Sequence, residues 1–384
     1  MIRFRHPLII AAFLVCLPCG TPDSLLAQPP EDDIGPQTTI EVSAPLSPPP
    51  EPAGAEMTAR GRNVKGVYVP LALVRKFNGE AMLEWVHRIG ADGVILDIKD
   101  DRGRVTFTSG LPTASGGKNG TVPHMAEMVR YLRENGIYVI GRLVCFKDNQ
   151  LAQTYPETAI LDRRTGKRWR DKANLMWVDP HSAFARAHIA SVAAAAQDAG
   201  FDEIALDYVR FPVEPLARYA RYPNREGTPV RSEVIAALLA QVDPAITIAL
   251  SIDVFGLTAY HPGDEDGLGQ WLEYLAPYVD AISPMVYLAN WPTRYWSNPS
   301  TAQTHNLISG AVRRNRERLG DDIAVRPLLQ GFEWRASQWG RPFLVNQIDA
   351  AQKGGSSGFL FWNQGGRYKL LSTVLRKKEP QELK

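Results

Sequence analysis

Cysteine is scarce in this sequence, with 3 residues among 384. Two of them, Cys16 and Cys19, lie in an N-terminal segment that we expect to be removed, which leaves Cys145 as the single thiol. One thiol excludes an internal disulfide, so the folded chain must depend on its hydrophobic core. Cys145 lies within an apolar run, where a cysteine is more typical of core packing than of a nucleophile.

An excess of charge of either sign is also missing. The 43 Lys and Arg residues nearly balance 41 Asp and Glu residues, and the formal net charge is +2. This balance gives no basis for a nucleic-acid partner or for binding to an acidic membrane surface. The histidines lack the spacing of a metal site, and Gly365-Gly366 alone is too little for a phosphate loop. We therefore expect neither a metal nor a cofactor.

A membrane-spanning hydrophobic run is absent from the N-terminus as well. Arg3 and Arg5 precede an apolar run, Leu8 to Leu17, that is too short to cross a membrane as a mature helix. This pattern predicts a signal peptide over residues 1–27, cleaved after Ala27, with an uncleaved membrane anchor as the alternative. We expect an exported protein, periplasmic or extracellular, without membrane insertion after cleavage.

Residues 28–62 are rich in Pro, Ala, Glu and Ser and show no apolar periodicity. Such a composition predicts a disordered, Pro-rich linker between the signal peptide and the folded domain.

Beyond the linker, eight short β-branched runs alternate with longer segments of helical periodicity. Alternating strands and helices are typical of a parallel sheet, and eight such units match a closed barrel better than an open doubly wound sheet. The sequence therefore predicts an α/β fold, a single-domain (β/α)₈ TIM barrel over residues 63–376. The predicted strands are Lys65–Pro70, Gly93–Lys99, Tyr138–Phe146, Glu203–Phe211, Thr247–Phe255, Ala281–Tyr287, Ala324–Gln330 and Gly358–Asn363.

Alternation within the strands indicates which side chains face the barrel interior. In the fourth strand, Ile204 and Leu206 suit the side that packs under helices, which turns Asp207 inward. The same alternation turns Asp253 inward on the fifth strand. Barrel enzymes carry their working groups at the C-terminal ends of the strands, so Asp207 is the leading candidate for a catalytic residue. Two carboxyl groups at neighbouring strand ends meet the minimum requirement for glycoside hydrolysis, by retention or by inversion.

Further charged side chains are predicted to share this interior space, although a buried charge is costly unless it is paired or used. For Asp97, Lys99, Arg142 and Arg326, the alternative is an internal salt-bridge network that closes the barrel. The predicted substrate-binding set consists of Asp97, Lys99, Arg142, Arg210, Tyr287, Arg326, Gln330, Trp362 and Asn363.

Aromatic residues gather near the same predicted rim, where flat apolar faces with polar tips suit stacking against sugar rings. They are Tyr208, Tyr287, Trp291, Tyr295, Trp296, Trp334, Trp339 and Trp362. The segment 147–180 after the third strand is unusually long and carries a basic cluster over residues 163–170. It is interpreted as a lid or an anion-binding edge, or else as a solvated turn.

Several runs taken together resemble a bacterial glycoside hydrolase domain family first catalogued as a domain of unknown function. They are Val94 to Asp101, Trp177 to Pro180, Phe201 to Pro212, Asp253 to Leu257, Ile282 to Tyr287 and Phe361 to Asn363. The resemblance covers about residues 64–370. It implies a barrel related to glycoside hydrolases but brings no established substrate, because the family is named by kinship of fold.

The run Asp202 to Val209 is also similar in outline to the fourth-strand motif of chitinase-type barrels, with Asp207 on the last aspartate. Ala205 replaces that motif's middle aspartate and Val209 its catalytic glutamate, so a substrate-assisted mechanism is not expected. The leading hypothesis is a glycoside hydrolase of envelope or extracellular polysaccharide, with Asp207 as nucleophile or base and Asp253 as acid. Asp97 and Arg210 would position or tune them. The alternative is a non-catalytic envelope protein that binds glycan on the same scaffold.

Overall fold

Strands and helices alternate in the computed structural model, which describes residues 57–111, 121–264, 266–291, 300–336 and 338–376. Within these residues the main sheet has eight strands in chain order. They are β1 Lys65–Val69, β2 Gly93–Lys99, β3 Tyr138–Val144, β4 Glu203–Asp207, β5 Ala249–Phe255, β6 Ala281–Met285, β7 in two pieces, Ala324–Val325 and Leu328–Gln330, and β8 Phe359–Trp362. A separate antiparallel ribbon pairs Leu161–Asp162 with Ala220–Arg221.

Helices occupy most connections between the strands. They are α1 Ala59–Arg62, α2 Leu71–Lys76, α3 Gly79–Ile89, α4 Met125–Glu134, α5 Asn149–Thr154, α6 Ala183–Asp198, α7 Arg231–Val242, α8 Leu272–Leu275, α9 Thr301–Leu319, α10 Arg341–Lys353 and α11 Lys369–Leu375. Sequence signals set several of these ends. The side chain of Asn78 accepts a hydrogen bond from the backbone N–H of Ala81 at the start of α3, and Gly90 ends that helix with a φ of 85°. No helix in the described residues is long and apolar enough to cross a membrane.

The sheet closes on itself through parallel pairs only. Each of β1 to β5 pairs with the next strand, β6 pairs with both pieces of β7, β7 pairs with β8, and β8 pairs with β1. With helices packed around the outside, this is the (β/α)₈ barrel that the alternating pattern predicts, and that prediction is confirmed. The predicted signal peptide and most of the predicted linker lie outside the described residues.

Two predicted strands, β4 and β7, differ most from the observed ones. β4 ends at Asp207 because Tyr208 has a φ of 51°, a left-handed conformation that a strand cannot continue. β7 is interrupted at Arg326 and Pro327, since proline has no N–H to donate to a neighbouring strand.

The two faces of the strands separate as the alternation predicts. Helix-facing residues of β2, β4 and β5 join the large core between the barrel and its helices; they are Val94, Leu96, Ile98, Ile204, Leu206, Leu250 and Ile252. A smaller apolar cluster fills the barrel interior and contains Tyr68, Ile95, Tyr138, Ile140, Ala205, Tyr287, Leu328 and Leu360. The interior is therefore packed rather than open, and polar chemistry is confined to its ends.

The segment before β1 belongs to the folded domain from Met57 onward. Met57 is buried against Ala249, Ala281 and Ala324, which lie at the N-terminal ends of their strands. The helix α1 follows directly. The predicted linker extends to residue 62, whereas the structure includes residues 57–62 in the domain, because an apolar side chain there closes one end of the barrel.

A buried ion pair crosses the N-terminal end of the barrel interior. Both terminal guanidinium nitrogens of Arg326 donate to the carboxylate of Glu203, and Nη1 also donates to the carbonyl of Gly61 at 2.8 Å. The side chains of both ionic partners are fully buried. Glu203 begins β4 and Asp207 ends it, so their Cα atoms are about 13 Å apart at ~3.3 Å per residue. For Arg326, the structure therefore supports the alternative of an internal salt bridge, because this residue lies far from the strand ends that carry Asp207.

Breaking this ion pair should be costly for stability. Arg326→Met leaves Glu203 as an uncompensated buried charge, and we expect the free energy of unfolding to fall by about 3–5 kcal/mol. Urea denaturation followed by circular dichroism measures the loss. Arg133→Met is the matched control, because it removes an ion pair with Asp202 in which Arg133 is 46% exposed, and such pairs contribute about 0–1 kcal/mol. Equal losses in the two variants would contradict this role of Arg326.

Candidate active site

The C-terminal end of β4 places Asp207 at the last interior position before the loop. The following residue, Tyr208, has a φ of 51°, and its backbone N–H donates to Oδ1 of Asp207 at 2.6 Å. A left-handed conformation in a bulky residue stores strain, of order 1–3 kcal/mol, and such strain clusters at functional sites. The turn thus fixes the Asp207 carboxylate at the mouth of the barrel.

Arg142, on β3, bridges Asp207 and Asp97. Its Nε and Nη2 donate to Oδ2 of Asp207 at 2.8 and 2.5 Å, and its Nη1 donates to Oδ1 of Asp97 at 2.7 Å. Oδ2 of Asp97 accepts from the hydroxyl of Tyr68, on β1, at 2.7 Å. These hydrogen bonds form a continuous chain across the ends of β1, β2, β3 and β4. All four side chains are buried. Burial raises the pKa of the Asp97 carboxyl, against the opposing effects of Arg142 and the Tyr68 hydroxyl.

Two aromatic rings lie beside this chain of hydrogen bonds. The rings of Tyr68 and Trp362 stack with their centroids 3.9 Å apart and their planes 24° from parallel. The guanidinium carbon of Arg142 lies 4.9 Å from the centroid of the Trp362 ring, a cation-π contact. Trp362 therefore helps to hold Arg142 in place and remains partly exposed at the barrel mouth.

Tyr68 was missed by the sequence reasoning, although a signal for it existed. Val67 and Val69 belong to the helix-facing core, so alternation along β1 turns Tyr68 inward beside Asp97. Tyr68 carries no charge, and therefore it is not part of the predicted cluster of charged interior residues.

Asp253 lies on β5 next to Asp207. β4 and β5 are in register through Leu206 and Ile252, so Asp207 and Asp253 occupy the next position on adjacent parallel strands. Burial raises the pKa of the Asp253 carboxyl well above its usual range, and the charge of Asp207 raises it further, against the opposing effect of Arg142. Asp253, whose pKa is raised, thus lies beside an Asp207 that is ion-paired with Arg142.

Tyr287, which follows β6, borders the same space. Burial raises the pKa of its hydroxyl, and the charges of Asp253 and Asp207 act in the same direction. The structure thus brings together Asp97, Arg142, Asp207, Asp253, Tyr287 and Trp362 from the predicted set.

Other predicted residues bind partners within the protein. A register shift in β2 between Asp97 and Lys99 directs the Lys99 ammonium to Asp148 at 2.7 Å and to the carbonyl of Val144 at 2.6 Å. Lys99 is fully buried there, and its ion pair with Asp148 agrees with the alternative of an internal salt bridge. Arg210 pairs with Glu214 at 2.9 Å at the edge of the site. Gln330 and Asn363 donate to backbone carbonyls of the loop after β7.

The long segment after β3 folds over the same end of the barrel. Its basic cluster makes contacts within the chain: Arg164 pairs with Asp162, Arg168 donates to the carbonyls of Ala152 and Gln153, and Arg170 donates to the carbonyl of Asn174. These contacts favour a structural role for the cluster. Tyr295 and Trp296, predicted at the rim, lie outside the described residues. In the part of the chain that is described, no cluster of His, Cys, Asp and Glu is suited to a metal ion.

The family model described as "Putative glycosyl hydrolase domain" matches residues 66–368. The chain belongs to this family. The assignment confirms the resemblance drawn from the sequence motifs and gives the protein a glycosidase-like domain. The family implies a carbohydrate substrate.

Solved structures extend the comparison. A hypothetical protein from Ruminiclostridium thermocellum ATCC 27405 is 30% identical over 49% of this chain and 97% of its own, with a TM-score of 0.43. The PgaB (BpsB) glycoside hydrolase domain from Bordetella bronchiseptica is 12% identical over 83% of this chain and 99% of its own, with a TM-score of 0.57. Alpha-L-fucosidase isoenzyme 2 from Paenibacillus thiaminolyticus is 11% identical over 82% of this chain and 49% of its own, with a TM-score of 0.51. The last two are similarities of fold. No curated protein matches the chain.

Proposed function

We propose that this protein is an exported glycoside hydrolase that cleaves an envelope or extracellular polysaccharide with Asp207 and Asp253. The observation that carries the proposal is the contrast between two neighbouring carboxyl groups. Arg142 pairs with Asp207, whereas burial and the Asp207 charge raise the pKa of Asp253. Two carboxyl groups in environments of this kind are suited to divided roles as base or nucleophile and as acid.

Asp207 would act on the anomeric carbon. Its Oδ2 accepts both hydrogen bonds from Arg142, and its Oδ1 accepts the backbone N–H of Tyr208. Because a carboxylate oxygen has two lone pairs, Oδ1 would supply the attacking pair. The negative charge also stabilises an oxocarbenium-like transition state. Tyr68 and Asp97 contribute by holding Arg142, so that Asp207 does not rotate.

Asp253 would protonate the departing glycosidic oxygen. A general acid works best when its pKa is close to the working pH, and burial beside Asp207 shifts Asp253 in that direction. Neighbouring positions on adjacent strands, with Cα atoms about 4.8 Å apart, favour the ~5–5.5 Å carboxyl separation of retaining enzymes. Asp253 would then serve as base when water hydrolyses the glycosyl intermediate.

A glycan-binding protein without catalysis is the second candidate. The ion pair between Asp207 and Arg142 favours it, because a carboxylate held on both oxygens also suits a structural role. Turnover separates the two candidates, since binding alone releases no product.

The direct test is a screen of the purified protein against defined bacterial polysaccharides, with products identified by mass spectrometry. We expect oligosaccharide products from at least one polysaccharide, and proton NMR of the first products should show the anomeric configuration of the substrate retained. Asp202→Asn is the control, because this carboxylate lies just before β4 at the opposite end of the barrel. Binding without any product would favour the second candidate.

Export rests on the predicted signal peptide. Expression in a Gram-negative host should give a mature chain that begins at Gln28 in the periplasm or the medium, as measured by N-terminal sequencing. A chain that keeps residues 1–27 in the membrane fraction would support the membrane anchor instead.

A further inference from the structure

The loop after β7, residues 331–336, is held by side chains from neighbouring strand ends. The amide nitrogen of Gln330 donates to the carbonyls of Phe332 at 3.0 Å and Trp334 at 2.9 Å. Its amide oxygen accepts from the backbone N–H of Ala289, in the loop after β6, at 3.2 Å. Gln330 is fully buried, so one side chain fixes two loop backbones together.

Asn363, from the end of β8, holds the start of the same loop. Its amide donates to the carbonyl of Gly331 at 2.5 Å and to that of Arg367 at 3.1 Å. Gly331 packs closely here, because a Cβ atom at this position would lie 2.9 Å from the carbonyl oxygen of Trp362. The two amides that the sequence assigns to substrate binding therefore position the loop backbone.

Arg335 provides a further contact between the loop after β7 and the loop after β6. It is held in a left-handed conformation, with a φ of 55°, and its guanidinium donates to the carbonyl of Ala289 at 3.0 Å. A non-glycine residue in this conformation is strained and persists only where the surroundings impose it. Phe332, in the same loop, packs edge-to-face against Tyr287 with ring centroids 6.0 Å apart, which connects the loop to the candidate active site.

This rigid loop presents Trp334 to solvent. Its side chain is 41% exposed, the greatest exposure of any tryptophan among the described residues. The guanidinium of Arg335 lies 5.3 Å from the centroid of the Trp334 ring. An indole that is 41% exposed buries only part of its apolar surface on folding, and a flat apolar ring beside a hydrogen-bond donor suits the face and hydroxyls of a pyranose.

We propose that Trp334 and Arg335 form a sugar-binding subsite for a pyranose unit beyond the unit that is cleaved. The inference rests on the proposed function and names its substrate class as a chain of several sugar units. Phe332 packs against Tyr287, whose hydroxyl is affected by the charge of Asp253, and so connects the subsite loop to the candidate active site. Gln330, Asn363 and the strained backbone of Arg335 are positioning elements that keep the indole ready to stack.

The test compares long and short ligands in the Asp207→Asn background, where no turnover is needed. The probes are cellohexaose, chitohexaose and xylohexaose, each with its disaccharide, and calorimetry gives the affinities. For the sugar that binds, we expect the hexaose to bind more tightly than the disaccharide. Trp334→Ala should weaken hexaose binding about tenfold, or ~1.4 kcal/mol, and reduce the ratio of the two affinities, while Trp334→Phe keeps most of it.

Tyr131→Ala is the matched control, because Tyr131 is an aromatic residue with 37% exposure on α4, at the outer wall of the barrel. It should leave both affinities unchanged. The inference is overturned if hexaose and disaccharide bind equally to the parent, if no hexaose binds, or if Trp334→Ala leaves the ratio unchanged. None of these results depends on catalysis, so a failure of the subsite is distinct from a failure of the proposed hydrolase.

Discussion

Asp207→Asn should abolish turnover of the polysaccharide identified in the screen, with a fall in kcat of at least about 10³-fold. The amide keeps the shape of the side chain but cannot act as nucleophile or base, and it does not stabilise a positive transition state. Binding of the same polysaccharide should persist, because Trp362 and the other aromatic residues at the mouth are unchanged. Steady-state kinetics measures the first effect and calorimetry the second.

A second readout follows from the position of Asp207. Its charge raises the pKa of Asp253, so the Asn variant should lower the pKa of Asp253, as measured by carbon-13 NMR of the carboxyl group. Asp202→Asn should alter neither kcat nor this titration. If Asp207→Asn unfolds the protein, or turns over substrate at the wild-type rate, Asp207 is a structural partner of Arg142 and the catalytic assignment is wrong.

Asp253→Asn should lower kcat/KM about 10²–10³-fold for the polysaccharide, because a general acid contributes in this range when the leaving group is poor. An aryl glycoside of the same sugar with a nitrophenol leaving group should lose much less, since that group departs without a proton. Comparing the two substrates in one variant separates the loss of an acid from a general disturbance of the site.

The pH dependence of kcat/KM also tests the role of Asp253 as general acid. Asp253 acts as acid only while it is protonated, so kcat/KM should fall as the pH rises through the raised pKa of this group. The Asn variant should lack that basic limb. Asp280→Asn is the control, because burial also raises the pKa of Asp280, but this carboxyl lies at the N-terminal end of β6. Equal losses with both substrates, or an unchanged basic limb, would remove Asp253 from the role of acid.

Much of the framework could be predicted from local pattern. Every strand began within two residues of its predicted start, because alternation and helix signals are local properties of the chain. The inward direction of Asp207 followed from the apolar side chains of Ile204 and Leu206 on the opposite face. The same rule applied to β1 would have added Tyr68.

The positions of Lys99 and Arg326 could not be predicted from the local sequence pattern. Both were placed in the barrel interior, yet a register shift turns Lys99 to Asp148, and Arg326 lies at the opposite end against Glu203. Parity gives the face of a strand and says nothing about the height along the barrel axis or about which partner is within reach.

The sequence by itself determined the barrel, the end of the barrel that carries the chemistry, and the family, because these follow from periodicity and contiguous motifs. Only the tertiary structure decided which charges meet: Arg142 between Asp97 and Asp207, Asp253 beside Asp207, and the amides of Gln330 and Asn363 on the loop that exposes Trp334. The physical reason is that pairing of buried charges and amides depends on distances of about 3 Å between residues far apart in the chain. Strand register, one bulge and one left-handed tyrosine set those distances.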